Sequence, residues 1–343
     1  MKAAILTDIK KPLVVSELEM PKTLEFGQVL VKIYYSGFCG SQLTEINGSR
    51  GEDKNIPHLL GHEGSGLVLD MGPGITTVSK GDHVVLHYMR SLGIESPTPK
   101  YKWGGKIVSG GGVTTFNNRA IVSENRLTKI PKDLDLRIAP LFGCAITTGF
   151  GVINNEAQVK IGESVIIFGL GGVGLSICQA ASLVSAYPII GVDLYDSKIN
   201  LAKRFGLTHG FINDSEKIDN EVRKIVGMNG ADVVVDVTGN SKAIELCYRL
   251  TKPNGKTILC GQPKKGDNIS INTLPLHFNK ILKGSYGGDS KPHIDIPNYI
   301  KLLSTKKIDL NSLITHEYSL ANINDAVSTL KGGQAGRIII KMD

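Results

Sequence analysis

Ser164-Val-Ile-Ile-Phe168, followed without a gap by Gly169-Leu-Gly171-Gly172-Val173-Gly174, decides how this chain folds. The apolar run is β-branched and aromatic with no polar alternation, as in a strand buried on both faces of a parallel sheet. The glycines after it have separate tasks in a turn that receives a dinucleotide. Gly169 permits the tight turn, Gly171 removes a Cβ so that backbone approaches the pyrophosphate, and Gly174 lets a helix pack closely on its strand. Gly172 and Val173 open that helix, whose free N–H groups and dipole attract phosphate. Glycine-rich turns are common in a chain with 40 Gly, so the flanks must carry the reading.

Those flanks agree with it. The next apolar run, Pro188-Ile-Ile-Gly-Val-Asp193, ends on an acid nineteen residues past Gly174, where a carboxylate grips both ribose hydroxyls and repels a 2′-phosphate. NAD is therefore expected in preference to NADP. Asp193 has a second reading, a strand-end residue capping the helix after it. Lys198 is close enough in sequence to reach the adenosine side, and equally reads as a solvated surface lysine. Beyond these, strands are expected at 163–168, 188–193, 209–212, 232–237, 256–260 and 281–286. Helices are expected from Gly172 to Ser185, Ser197 to Phe205, Ser215 to Val226 and Ser241 to Leu250. This alternation is that of a parallel sheet covered on both faces.

Upstream the pattern differs. From Lys2 to about Asp82, short alternating runs such as Val29-Leu-Val-Lys-Ile-Tyr-Tyr35 are broken by Gly and Pro, which predicts antiparallel, barrel-like β structure. Residues from His87 to Thr115 read as a long loop with Pro97, Pro99 and Ser109-Gly-Gly-Gly112. After Gly287 the chain returns to mixed structure, with helices near Ile296 to Leu303 and Ile323 to Leu330 and a last strand Arg337-Ile-Ile-Ile-Lys341. The expected fold is α/β, with a β catalytic domain over 1–145 and 287–343 and a doubly wound coenzyme domain over 146–286 inserted into it.

Composition narrows the function classes. At 343 residues two domains are expected. Hydrophobic residues at 41% and charged residues at 21% describe an ordinary globular chain, with no run long enough to cross a bilayer. No secretory signal is read at Met1-Lys-Ala-Ala-Ile-Leu-Thr-Asp8, so a cytoplasmic location without membrane attachment is expected. The formal charge of +7 is spread over helix-like segments with no aromatic stacking motif, which argues against a nucleic-acid partner. Five cysteines show no paired spacing, and no disulfide is expected.

Three distant segments carry the chemistry: Gly37-Phe-Cys39-Gly40-Ser41, Gly61-His62-Glu63-Gly64 and Gly143-Cys144-Ala145. Two thiols and an imidazole suit one zinc ion with an open position, the composition of a catalytic and not a structural site. Cys39 and Cys144 each precede a helix-like run, and helix starts favour thiolates. Glu63 is either an occasional further ligand or the ion-pair partner of a nearby base. Ser41 either holds a hydroxyl beside the reacting oxygen or caps the helix it begins. Cys178, Cys247 and Cys260 stand in apolar contexts typical of packed thiols.

Together these residues resemble the zinc-containing medium-chain alcohol dehydrogenase family, from Met1-Lys-Ala-Ala4 through Gly336-Arg337-Ile-Ile339. The resemblance implies a GroES-like catalytic domain with an inserted Rossmann domain, and a reversible hydride transfer between a primary or secondary alcohol and NAD. It implies one catalytic zinc on Cys39, His62 and Cys144, with Glu63 beside it and Ser41 relaying the proton. It also places Thr148 at the nicotinamide and Val173 with Cys260 to Gln262 along the coenzyme. Lys198 would contact the ribose, Arg337 the pyrophosphate, and Tyr88 would line the substrate pocket. The partners expected are a small alcohol or carbonyl compound and further copies of the chain, as a homodimer or homotetramer.

Three departures from the family pattern stand out. Gln42 replaces an Asp that usually bonds the zinc-ligating histidine, which should leave His62 less electron-rich and the metal more acidic. Thr44 replaces a histidine that often ends the proton relay. The four-cysteine lobe for a structural zinc is absent, and residues 88–115, with Trp103, stand in its place, expected to shape substrate choice or a subunit contact. His87, Tyr88 and Gln262 suggest a polar substrate such as a polyol, cyclitol or sugar derivative. The rival readings are a zinc-free reductase of enones or quinones and a non-catalytic dinucleotide-binding protein.

Overall fold

The computed structural model describes residues 1–213 and 217–342, and every count below refers to those residues. Two units emerge, Met1–Cys144 with Lys291–Asp343, and Ala145–Ser290. The inserted unit thus begins one residue before the expected boundary and ends four residues after it. Its end follows the short turn Gly287–Asp289, which leads directly into the helix Pro292–Ser304.

The first unit is built on an eleven-residue strand, Gln28–Phe38. This strand pairs antiparallel with Gly64–Met71 on one side and with Arg119–Ser123 and Arg337–Lys341 along the other. His83–Leu86, Leu127–Ile130 and Ile314–Ser319 complete a seven-stranded sheet. The terminal strand lies at Ile338 opposite Phe38 and Lys341 opposite Tyr35, so the chain returns to its first domain after the insertion. Alternation along these strands turns Val29, Val31, Ile33, Val68, Val84, Ile338 and Ile340 into one core with Phe38 and Phe116. A second sheet holds Val14–Glu17, Lys2–Leu6, His58–Leu59, Lys106–Ser109 and Lys100–Trp103 in that order.

The last two of these strands correct the expectation of a loop over 87–115. They form a hairpin, Lys100 opposite Ser109 and Trp103 opposite Lys106. The Trp103 indole N–H donates to Ser16 Oγ at 3.0 Å, and Glu19 and Lys102 exchange backbone bonds of 2.9 and 3.1 Å. Tyr101 is fully buried between the layers. Alternation was present in Tyr101-Lys-Trp103, but the flanking prolines and glycines masked it.

The second unit is a six-stranded sheet in which every neighbouring pair is parallel. Its order is His209–Ile212, Ile189–Asp193, Val165–Phe168, Ala231–Asp236, Thr251–Leu259, Ile281–Gly284. Val165–Phe168 lies centrally and is buried on both faces, which is why its sequence does not alternate. Successive strands run outward from it in opposite directions, so the crevice where the order reverses opens at its carboxyl end. The helices fall at Gly172–Leu183, Asp196–Lys203, Ile218–Val226 and Ser241–Leu250. The start expected for the third, Ser215, lies outside the described residues.

Candidate metal centre

Cys39 directly follows the long strand and stands at the N-cap of the helix Gly40–Ile46. His62 leads into Gly64–Met71, the antiparallel neighbour of that strand, and Gly37 N–H donates to the Glu63 carbonyl at 3.1 Å. Cys144 follows the turn Ala139–Gly143 and precedes the helix Ala145–Gly151. Adjacent pairing and one turn therefore bring segments more than a hundred residues apart to one place. The ligand-bearing atoms of Cys39, His62, Glu63 and Cys144 all lie within 4.8 Å of one another.

The electrostatics suit a cation. The thiol of Cys39 is held well below its usual range, first by the hydrogen bond from Cys144, whose sulfur is 3.8 Å away. Burial opposes this, and the neighbouring His62 ring and Arg337 guanidinium assist it. Three buried polar atoms of this group, His62 Nε2, Ser41 Oγ and Glu63 Oε2, have no hydrogen-bond partner among the described residues. A buried polar atom without a partner is costly, and here the His62 ring and the Glu63 carboxylate converge with two thiols, so the donor set fits a thiophilic divalent ion. The alternative reading of Ser41 as a helix cap does not hold, because Cys39 occupies that position and no side chain caps the helix.

Glu63 is fully buried, and Arg337, itself buried, donates to Glu63 Oε1. The ion-pair reading of Glu63 is thus the one realised by one of its oxygens. Arg337 is expected from the resemblance at the pyrophosphate, yet in the structure its guanidinium serves Glu63 and Cys39 inside the first unit. An arginine opening the apolar strand Arg337-Ile-Ile-Ile must find a buried counter-charge, and that was the available signal. His87 lies in the core. Its ring is fully buried, bonded to Met89 O at 2.8 Å and Thr128 Oγ1 at 3.0 Å, and burial brings its pKa down to about 4. It is a core histidine with both ring nitrogens engaged. Tyr88 packs edge-on against the His62 ring at 5.3 Å.

In the second unit, the turn Gly169–Gly174 sits at the carboxyl end of the central strand. A Cβ built on Gly174 would land on the Gly169 carbonyl, and Gly169 itself has φ of 93°. The Asp193 carboxylate accepts from Leu170 N–H at 2.7 Å and from Tyr195 N–H at 3.2 Å, so it braces the turn and also the entry to the next helix. Lys198 is no freely solvated lysine. It is half-buried with Nζ 3.9 Å from Asp193 Oδ2, and burial lowers its pKa while Asp193 opposes that. Thr148 is buried in the helix Ala145–Gly151, which packs on the helix begun by Gly172 and Val173. Cys260 is pushed up to about 12 by burial, and Gln262 is exposed.

One contributor was missed. Asp236 is buried at the end of its strand and accepts from Thr238 N–H at 3.0 Å and Gly239 N–H at 2.9 Å. It shapes the turn against which Gly261 packs. Burial raises its pKa although these bonds pull the other way.

Comparison with known proteins accords with this geometry. Residues 25–132 match the alcohol dehydrogenase GroES-like domain, and residues 172–305 match the zinc-binding dehydrogenase domain. The chain is 32% identical over 379 residues to an alcohol dehydrogenase class-3 of Cereibacter sphaeroides, covering 99% of each chain. It is 32% identical over 376 residues to an S-(hydroxymethyl)glutathione dehydrogenase of Paracoccus denitrificans, again covering 99% of each. A crystal structure of an alcohol dehydrogenase zinc-binding domain protein from Burkholderia ambifaria superposes with a TM-score of 0.91 at 25% identity, covering 100% of this chain and 98% of that one. On both domains and across its whole length, this chain belongs to the zinc-dependent, medium-chain alcohol dehydrogenase family.

Proposed function

We propose that this chain moves hydride reversibly between a primary or secondary alcohol and NAD, with a single catalytic zinc ion at Cys39, His62 and Cys144 and no structural zinc. The observation that carries this reading is the convergence of those three side chains with Glu63 within 4.8 Å. Cys39, His62 and Cys144 would hold the ion, whose Lewis acidity would lower the pKa of an alcohol hydroxyl toward about 7. Ser41, its Oγ buried and without a hydrogen-bond partner, would relay the hydroxyl proton, accepting it while passing its own toward the nicotinamide ribose. Arg337 occupies one oxygen of Glu63 and keeps the other free beside the thiols.

The turn at Gly169–Gly174 binds the coenzyme pyrophosphate, and the Asp193 carboxylate at the strand end favours NAD over NADP. Val173, Thr148, Lys198 and the stretch Cys260 to Gln262 belong to the same coenzyme site in this proposal. Burial raises the thiols of Cys178, Cys247 and Cys260, the state of packed cysteines and not of ligands, which supports one ion per chain. The polyol reading loses His87 and rests on Tyr88 and Gln262 alone. The donor set disfavours the zinc-free reductase.

For assembly we propose a homo-oligomer. Ile281–Gly284 is an edge strand, and Leu274, Phe278, Ile281 and Tyr286 beside it are exposed apolar residues. An open apolar edge is a ready template for a second copy. Among the described residues no helix is long and apolar enough to cross a membrane. The test of the reaction is a screen of NADH and NADPH formation across aliphatic, aromatic and polyhydroxy alcohols. Turnover with NAD on at least one alcohol class is expected, and NAD binding without turnover on any would reject the reading.

A further inference from the structure

Gln42 lies directly behind His62, buried at 2% exposure on the helix Gly40–Ile46. Its amide meets two neighbours. Gly61 N–H donates to Gln42 Oε1 at 2.6 Å, and Gln42 Nε2 stands 2.8 Å from His62 Nδ1. The Gly61 N–H cannot turn elsewhere, because its own peptide unit is pinned through the Leu60 carbonyl, which accepts from Thr115 N–H at 3.1 Å and Phe116 N–H at 3.0 Å. A backbone N–H only donates, so the oxygen of the amide must face it and the NH₂ must face the ring.

That fixes the ring. An imidazole that accepts at Nδ1 carries its hydrogen on Nε2, the atom that must be bare to hold a metal. If the hydrogen moves to Nδ1 it meets the amide NH₂, and if the amide turns over, its NH₂ meets Gly61 N–H. One carboxamide has one oxygen, and two fixed donors compete for it. A carboxylate at the same place would accept from both.

We propose that Gln42 is a positioning residue that selects the Nε2–H form of His62 and so weakens the chain's hold on its metal, making the ion exchangeable. The inference rests on the reading of Cys39, His62 and Cys144 as the metal ligands. Partners of metal-ligating histidines typically change affinity by about 10- to 100-fold, and that is the range expected here.

The experiment compares zinc affinity, by competition with a chromophoric chelator, in the unsubstituted protein, Gln42→Glu and Gln42→Leu. Gln42→Glu should bind zinc about 10- to 100-fold more tightly, and Gln42→Leu, which removes the amide from Nδ1 but supplies no acceptor, should gain less than Gln42→Glu. Ring ¹⁵N chemical shifts of His62 in the metal-free, unsubstituted protein should show a bare Nδ1, a readout that needs no variant to fold. Equal or weaker binding by folded Gln42→Glu, or a protonated Nδ1 in the neutral ring of the unsubstituted protein, overturns the inference alone. Failure of the unsubstituted protein to bind zinc at all overturns the ligand assignment and this inference with it.

Discussion

Arg337 and Glu63 are both removed from water, and the guanidinium answers the Glu63 carboxylate as well as the Cys39 sulfur. Breaking a buried pair from one side leaves an uncompensated charge, at a cost of about 3–5 kcal/mol. Arg337→Met should lose stability of that order in denaturant unfolding, and the double variant Arg337→Met with Glu63→Gln should recover part of it; a loss below 1 kcal/mol, of the order of a typical exposed pair, would contradict the geometry. His87 sets a pH limit. Its folded pKa of about 4 lies below the ordinary 6.5, so the unfolded chain binds the extra proton first. Its contribution is complete above pH 6.5 and is lost as pH falls toward 4, on the order of 3 kcal/mol. His87→Gln should flatten that acid limb in unfolding measured from pH 7 to 4.5, and an unchanged slope would count against it. At this scale the cluster of Cys39, His62, Glu63 and Cys144 was legible, because thiols and imidazoles flanked by glycines announce themselves. What side chains do for one another was not, as the buried pairing of Arg337 and the saturated ring of His87 show.

Gly174 carries the close approach of the helix Gly172–Leu183 to its strand, since a Cβ there would strike the Gly169 carbonyl. Gly174→Ala must displace the turn. It should cost about 1–3 kcal/mol and weaken NADH binding while leaving zinc content unchanged. Calorimetric binding at wild-type strength would show that the turn is not the coenzyme contact. The parallel sheet was readable almost strand by strand, because its central strands are continuous apolar runs closed by glycine or acid. The hairpin Lys100–Trp103 with Lys106–Ser109 was not. Its alternation covers four residues a side, and its stability comes from partners far away in sequence, Ser16 and Glu19, that no local pattern names.

Across the whole molecule, the return of the C-terminal strand to Gln28–Phe38 is what makes the coenzyme unit an insertion, and the change of periodicity near Cys144 foretold it. The edge at Ile281–Gly284 could not be foreseen as an edge from its apolar sequence, since exposure depends on strand order. If a second copy covers it, Phe278→Asp with Ile281→Lys should halve the mass seen by light scattering without unfolding the chain, whereas an unchanged mass would place the interface elsewhere. The proposed chemistry depends on one metal ion. Elemental analysis of the purified protein alongside Cys144→Ser, with alcohol-dependent NADH formation measured on the same samples, tests it most directly. About one zinc per active chain is expected, with metal and turnover lost together in the variant; full activity in a preparation free of transition metal would contradict it.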